Sequence, residues 1–533
     1  MLANRTTSNG RPARRPAPGR GDHRGNLLPV RTRPPAAPLS AGAGRPRCLC
    51  PDGRHALARS EGNGQEERFG AAMVDLRRDR YCIIGAGPSG LATAKTFLER
   101  GIAFDCLERE PDIGGLWNIA TNSGIVYETT HLVSCISATG FDDLPMLDED
   151  YPEYPSHARV LGYFRDYVAK FGLQRHIQLG KAVTSVAPAG EGRWQVSVAG
   201  EAEPRNYRGV IIASGHHDVP RMPVYPGSFS GEIMHSRGYK SPLQVRDKRV
   251  LVVGCGNSAA DVVSDAVHGR SQVYLSLRRG YWFVPKFLLG FPTGDVLANV
   301  EKVPMPRLVK RWLFQASLWL LQGPPARYRM PQPDHAIDQA HPTMTDEIPR
   351  LVAHGSLIVK PEIAGYDGER VLFKDGSAES VDLIVFATGY QPVLPFLDEK
   401  IAFAEDGRPR FVHNVFHPEH VNLFAVGLVQ ANGSMWRLAD YQAQVIANSI
   451  IAAVRAPQRA ARFRASLSLL EKRSPFVASE RHRLEVNYYD YRRKLKRLIR
   501  SFGKVRKMRL AADGEAAPAL IARGKTATPE RVP

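Results

Sequence analysis

Two short glycine-spaced runs are the residues of this chain best suited to chemistry. The first, Gly85-x-Gly87-x-x-Gly90, lies in Tyr81–Leu91; the second, Gly254-x-Gly256-x-x-Ala259, lies in Val250–Asp261. Each follows an apolar, β-branched run and opens a helical stretch. A strand that turns sharply into a helix needs glycine's freedom at the first position, close backbone approach at the second and tight helix–strand packing at the third. The N–H groups left unpaired at the helix start, together with the helix dipole, favour a pyrophosphate. Pro88, Ser89, Ser258, Ala260 and Asp261 sit in or beside these turns and are further candidate contacts. One such loop is weak evidence. Two on one chain predict two bound dinucleotides, the arrangement needed to pass a hydride from a nicotinamide to a flavin.

The residue at the end of the next strand separates the two sites. Glu108 stands 23 positions after Gly85, delivered by the strand Ala103–Leu107. A carboxylate there accepts hydrogen bonds from a ribose 2′-OH, which suits FAD. The same count from Gly254 reaches Leu277, followed by Arg278 and Arg279. Arginines there suit a 2′-phosphate, which points to NADPH; the competing reading is a solvated strand end. The elements that position these groups are legible too. Ile83-Ile84 and Leu251-Val252-Val253 supply buried strands, and the first helix is expected to run to Arg100 and stop on a left-handed Gly101.

Between the two loops lies Phe229-Ser-Gly231-Glu-Ile-Met-His235-Ser-Arg237-Gly-Tyr239. It resembles the F-x-G-x-x-x-H-x-x-x-(Y/F) fingerprint of the flavin-containing monooxygenases. Gly114-Gly115-Leu116-Trp117, Ala387-Thr388-Gly389-Tyr390 and Gln430-Ala431-Asn432-Gly433-Ser434 match further family positions, so the resemblance spans Arg80 to Ala447. It implies an α/β fold with two Rossmann-like domains, the NADP domain inserted into a split FAD domain. FAD would be held by residues 79–214 and 382–510, and NADPH by residues 215–381 with a helical insert at about 284–349. The two FAD parts would be joined after a return strand ending at Ala387-Thr388-Gly389. It implies a cycle in which NADPH reduces FAD, O2 adds at flavin C4a, and a small sulfur or nitrogen nucleophile takes one oxygen atom. Gly115, Leu116, Trp117, Ser134, Ile136, Thr388, Gly389 and Gln430 are the flavin-side contacts it suggests. The irregular segment Gly124–Tyr154 would then lie over the flavin together with Gln430–Trp436.

Two residues carry open readings. Where well-studied relatives have Ser-Asn-Thr, this chain has Ser134-Cys135-Ile136. A thiol cannot reproduce an amide's paired donor and acceptor. Cys135 is either a redox participant or an ordinary buried thiol, and it keeps alive the alternative of an NADPH oxidase or nucleotide-responsive binding protein. His235 is either a hinge contact coupling the two sites or a structural tie to the backbone. The related Baeyer–Villiger enzymes end the fingerprint with Trp-Pro or Trp-Asp, so Tyr239-Lys240 argues mildly against ketone oxidation. His216 and His217 look like a metal pair, but neighbouring residues on a strand face opposite sides; no metal is expected.

Composition bounds the remainder. The chain has 533 residues, 43% hydrophobic, with a net charge of +19. Residues 1–72 hold 13 arginines against five acids and are rich in Pro, Gly and Ala, so they read as a disordered extension. They are an organelle transit peptide, a regulatory arm, or coding upstream of a start at Met73. The charge is therefore uneven, and nucleic acid is not an expected partner. A second basic cluster, Arg492 to Arg509, reads as a terminal helix, solvated or resting weakly on an anionic membrane. Residues 511–533 read as a disordered tail. Six cysteines without C-x-x-C exclude a flavin disulfide reductase and fit a reducing cytoplasm. The most apolar run, Trp312–Leu321, is half the roughly 20 residues a bilayer requires. It is expected to pack in a core, line the substrate entrance or touch a membrane. Substrate identity and oligomeric state are not legible.

Overall fold

The computed structural model describes residues 79–147, 149–467 and 484–502. The expectations for residues 1–72, Met73, the 511–533 tail, Cys48, Cys50 and the basic residues from Lys504 to Arg509 lie outside the described residues.

Two five-stranded parallel sheets organise the chain. The first takes β1 (Tyr81–Ile84), β2 (Phe104–Leu107), β3 (Ile177–Gln178) and β4 (Gly209–Ile212). The second takes β5 (Glu232–His235), β6 (Arg249–Val253), β7 (Gln272–Ser276), β8 (Leu357–Lys360) and β9 (Leu383–Phe386). The chain then returns to the first sheet as β10 (Leu423–Ala425). The spatial orders are β10-β4-β1-β2-β3 and β5-β9-β6-β7-β8. One plan is thus used twice: a central strand, a crossover helix, two strands on one side and two on the other. An antiparallel three-stranded meander precedes β4 in one sheet and β9 in the other. Strands covered on both faces read as continuous apolar runs, and β1, β4 and β9 are buried at every position.

This is the expected α/β architecture of paired Rossmann-like units, with one boundary moved. The strand Leu383–Phe386 pairs with β6 and β5, so it closes the second sheet rather than opening the second half of the first. The return to the first sheet follows Gly389. The apolar run of β9 is compatible with either sheet, and only register decides between them.

The crossover helices form as expected. α1 (Pro88–Arg100) has proline in its first turn and ends on Gly101 at φ 65°. α2 (Asn257–His268) follows the second glycine loop. The helical insert contains α3 (Thr293–Lys302) and α4 (Arg307–Gln322). α5 (Met435–Arg455) packs its buried face on α1. α6 (Tyr488–Ser501) buries Leu495 against the same core, with Leu498 and Ile499 partly covered. The basic terminal helix therefore lies on the first sheet's domain.

α4 departs from the core-packing expectation. Of its apolar residues only Leu318 is buried, while Leu308, Trp312, Leu313, Trp319 and Leu320 are exposed, Leu320 by 87%. At 100° per residue these five, with Val309, form one outward stripe. Lys310, Arg311, Gln315 and Ser317 are less exposed. Leu318 and Phe314 join the polar residues on the inward side, and the broad apolar stripe faces outward. No helix among the described residues is long and apolar enough to cross a membrane.

Candidate active site

Both glycine loops lie at the carboxyl ends of central strands, where open α/β sheets place ligands. Gly85 has φ 103°, and a Cβ there would meet the Ala213 carbonyl at 2.8 Å. Gly254 repeats this, with φ 108° and the Ala387 carbonyl at 2.6 Å. Gly90 approaches Gly85 O so closely that a Cβ would lie 1.8 Å away. Ala259, at the third position of the second loop, is buried. Gly87 and Gly256 cap their helices, which leaves the first-turn N–H groups of Ser89 and Gly90, and of Asn257, Ser258 and Ala259, without intrahelical acceptors; Pro88, at the first helical position, has no N–H to leave unpaired. Ala260 is buried in the second core and contributes by its small size.

Glu108 ends β2 beneath the first loop. Its carboxylate accepts from Ala86 N at 2.5 Å and from Glu110 N at 3.0 Å. Burial pushes its pKa up, and these two backbone donors partly oppose that. One acid thus fixes the loop's shape and keeps spare lone pairs. Gly114 and Gly115, at φ 108° and 55°, start the short helical turn Gly115–Trp117. A Cβ on Gly115 would stand 3.2 Å from Gly87 Cα, so the two backbones form a cradle that side chains would fill. Leu116 O accepts from Ile125 N, and Trp117 meets Trp436 edge-on.

The segment Gly124–Tyr154 is irregular apart from the turn Ile136–Thr139 and is tied to both sheets. Tyr127 donates to Asp261 at 2.5 Å, and Thr129 and Tyr239 both donate to Asp265. Asp261, expected beside a nucleotide, therefore spends its carboxylate holding this segment on α2. Ser134 shares a hydrogen bond with Thr139, and Ile136 is buried. Cys135 is fully buried, 3.3 Å from Ser137 Oγ, and faces Gly294 of α3, where a Cβ would come within 2.7 Å. Burial pushes its thiol pKa up. Cys135 is thus packed between Ser137 and the insert, the surroundings of an ordinary buried thiol.

His235 is likewise a tie. Its Nε2 donates to Gly389 O at 3.1 Å and its Nδ1 accepts from Arg237 N at 3.1 Å. Burial lowers its pKa, so the ring stays neutral with both nitrogens engaged. These bonds are those of the structural tie, one of the two readings of His235. Thr388 donates to Arg221 O, and Gly389 takes φ 82°. Gln430 joins a two-residue bridge to Glu485.

The two predicted arginines part company. Arg278 lines a cavity at the ends of β7 and β8, and Arg279 does not. Among the described residues no group of three His, Cys, Asp or Glu side chains could hold a metal. Sequence reading weighs His216 with His217 only as a metal pair and takes them as loop histidines. His216 follows β4, and its buried ring lies against the Gly427 backbone. Burial holds its pKa well below the ordinary value. From His216 the ring contacts run through His217 and Tyr390 to His235, from one sheet's end to the other's. The signal for it was the His-His pair itself, read only as a metal motif. A glycine cradle that a Cβ would fill, at these strand ends, fits a bound flavin nucleotide.

Two dinucleotide-type loops facing a shared junction define an oxidoreductase with paired Rossmann-like domains. Residues 78–521 match the flavin-binding monooxygenase-like family, and the chain belongs to it; it is a flavin-dependent monooxygenase. Among similar proteins is dimethylaniline monooxygenase (N-oxide-forming) 2 of Rattus norvegicus, 32% identical over 440 residues, or 77% of this chain and 81% of that one. Flavin-containing monooxygenase 5 of the same organism is 30% identical over 78% of this chain and 81% of its own. A solved structure of S-allyl-L-cysteine S-oxygenase from Allium sativum shares the fold, with TM-score 0.55 at 20% identity, covering 79% of this chain and 88% of that chain.

Proposed function

We propose that this chain uses FAD and NADPH to transfer one oxygen atom of O2 to a small sulfur- or nitrogen-containing nucleophile. The observation that carries the reading is the duplicated loop: two pyrophosphate-type turns at the carboxyl ends of two sheets that meet at His216–His235. When bound, FAD accepts the hydride of NADPH and activates O2. The protein's part is binding, orientation and exclusion of water. The first-turn N–H groups of α1 and α2 would hold the two pyrophosphates, and Glu108 the adenosine ribose on the FAD side. The His235–Gly389 bond ties the fingerprint segment to the end of β9 within the second sheet, and Arg237 reaches the segment after β4 by pairing with Asp218 at 2.9 Å. Asp218 in turn pairs with Arg109, next to Glu108.

The insert shields the second loop. Thr343 donates to Cys255 O, and Asn257 accepts from Met344 N at 3.0 Å. Tyr154 donates to Lys286 O, closing the irregular segment against the insert. The names of the similar proteins support nitrogen or sulfur as the oxygen acceptor. The test is a product assay with NADPH, O2 and a panel of tertiary amines, thioethers and ketones. N-oxides or sulfoxides formed in proportion to NADPH consumed are expected. Lactones or esters from ketones alone would replace this reading with Baeyer–Villiger oxidation, and peroxide alone with an NADPH oxidase.

The outward stripe of α4 favours a second contact, with the surface of an anionic membrane. Trp312 and Trp319 suit the interface between apolar and wet layers.

A further inference from the structure

The cavity beside Arg278 has a volume of about 550 Å³. Two acids, Glu362 and Asp375, and four basic side chains line it, the basic ones being Arg278 after β7, Lys360 at the end of β8, Lys374 on the meander, and Arg329 from the helical insert. They are not equivalent. Lys360 pairs with Glu379 at 2.5 Å, and Lys374 pairs with Glu362 at 2.5 Å. Arg278 and Arg329 have no ion-pair partner among the described residues. Two uncompensated guanidiniums at one cavity repel each other, an arrangement that suits a doubly charged guest.

The fold holds Arg329 there on purpose-built backbone. It follows the helical turn Pro325–Tyr328 and takes φ 56°, a left-handed conformation unfavourable to a non-glycine residue. Its N–H donates to Ala326 O at 3.0 Å. The next residue, Met330, is buried in the second sheet's core. Two residues on, Gln332 passes so close to Gly280 that a Cβ on that glycine would lie 2.2 Å from its backbone. The exit of the insert is thus clamped against the turn that carries Arg278 and Arg279. Arg279 does not line the cavity; its charge acts on Asp334.

We propose that Arg329, with Arg278, forms the clamp for the 2′-phosphate of NADPH, and that Arg279 takes no part. The inference deepens the NADPH reading above and rests on it. The insert then does more than cover the second loop, because it supplies half of the charge that selects NADPH over NADH.

The test is calorimetric titration of the flavin-loaded full chain with 2′,5′-ADP and with 5′-AMP, which differ only by the 2′-phosphate. The wild-type chain is expected to bind 2′,5′-ADP more tightly. Arg329→Ala should cut that preference roughly ten- to hundredfold and leave 5′-AMP binding unchanged, as for loss of a charged hydrogen-bond pair. Arg329→Gly, which accepts the same φ, should behave alike and serves if the alanine variant misfolds. Arg329→Lys should keep part of the preference, and Arg279→Ala all of it. A full wild-type preference in Arg329→Gly overturns the clamp while NADPH selectivity stands. A wild-type chain that does not distinguish the two probes overturns the NADPH reading itself, and the clamp with it.

Discussion

Single side chains at this site mostly hold backbone in place. Glu108 was legible in the sequence from its distance to Gly85, but its second task, fixing Ala86 N–H and Glu110 N–H, depends on a loop curvature no local pattern encodes. Glu108→Ala would leave both donors without an acceptor and remove the ribose contact. FAD affinity should fall roughly ten- to hundredfold, the scale of charged hydrogen bonds. Flavin absorbance per protein, with titration of the apoprotein, measures it; full FAD occupancy would take Glu108 out of the site. Cys135 illustrates the opposite case. Its departure from the family's amide was visible, yet its neighbour Gly294 lies 159 positions away and could not be seen. Gly294→Ala should destabilise the chain by about 1–3 kcal/mol through overpacking. Adding Cys135→Ala should recover most of that loss, since the two sites are in contact. Independent, additive effects in denaturant titrations would show that the thiol does not seat α3.

At the scale of elements, the strands and crossover helices follow from apolar runs and glycine punctuation, and α1 with its Gly101 stop forms where expected. β9 did not follow, because a buried strand's sequence states that it is covered on both faces but not by which neighbours. α4 failed differently. Its 3.6-residue periodicity is real, but periodicity does not reveal which side of an amphipathic helix faces the protein. Here the apolar stripe of Leu308, Trp312, Leu313, Trp319 and Leu320 faces out. The chain should therefore sediment with vesicles containing phosphatidylserine. Trp312→Ser with Trp319→Ser should weaken that partitioning roughly tenfold or more, given the apolar area each indole buries. NADPH oxidation without vesicles should be unchanged. Equal partitioning of variant and wild type would place lipid contact elsewhere.

Across the whole molecule, the returning segment that leads from β9 into β10 is pinned by histidines kept neutral through burial. His417 is fully buried; its Nε2 donates to Ile401 O at 3.0 Å, and its Nδ1 accepts from His420 N at 3.0 Å. His413 sits at φ 58°, and its carbonyl accepts from Tyr491 of α6. Burial lowers both to about 4. The unfolded chain therefore takes up these protons first, near the ordinary histidine value of about 6.5. The stability they contribute is fully present above that value and is lost as pH falls towards 4, at about 1.4 kcal/mol per pH unit for each ring. Near His417 the charges of Arg410 and Glu419 oppose one another, and near His413 Lys494 adds to the lowering. His417→Gln should therefore cost most at pH 7 and progressively less towards pH 5, because the variant has one fewer proton to gain on unfolding. Thermal midpoints of both proteins across that range measure the gap. A gap that stays constant with pH would mean that His417 is not held neutral in the folded chain.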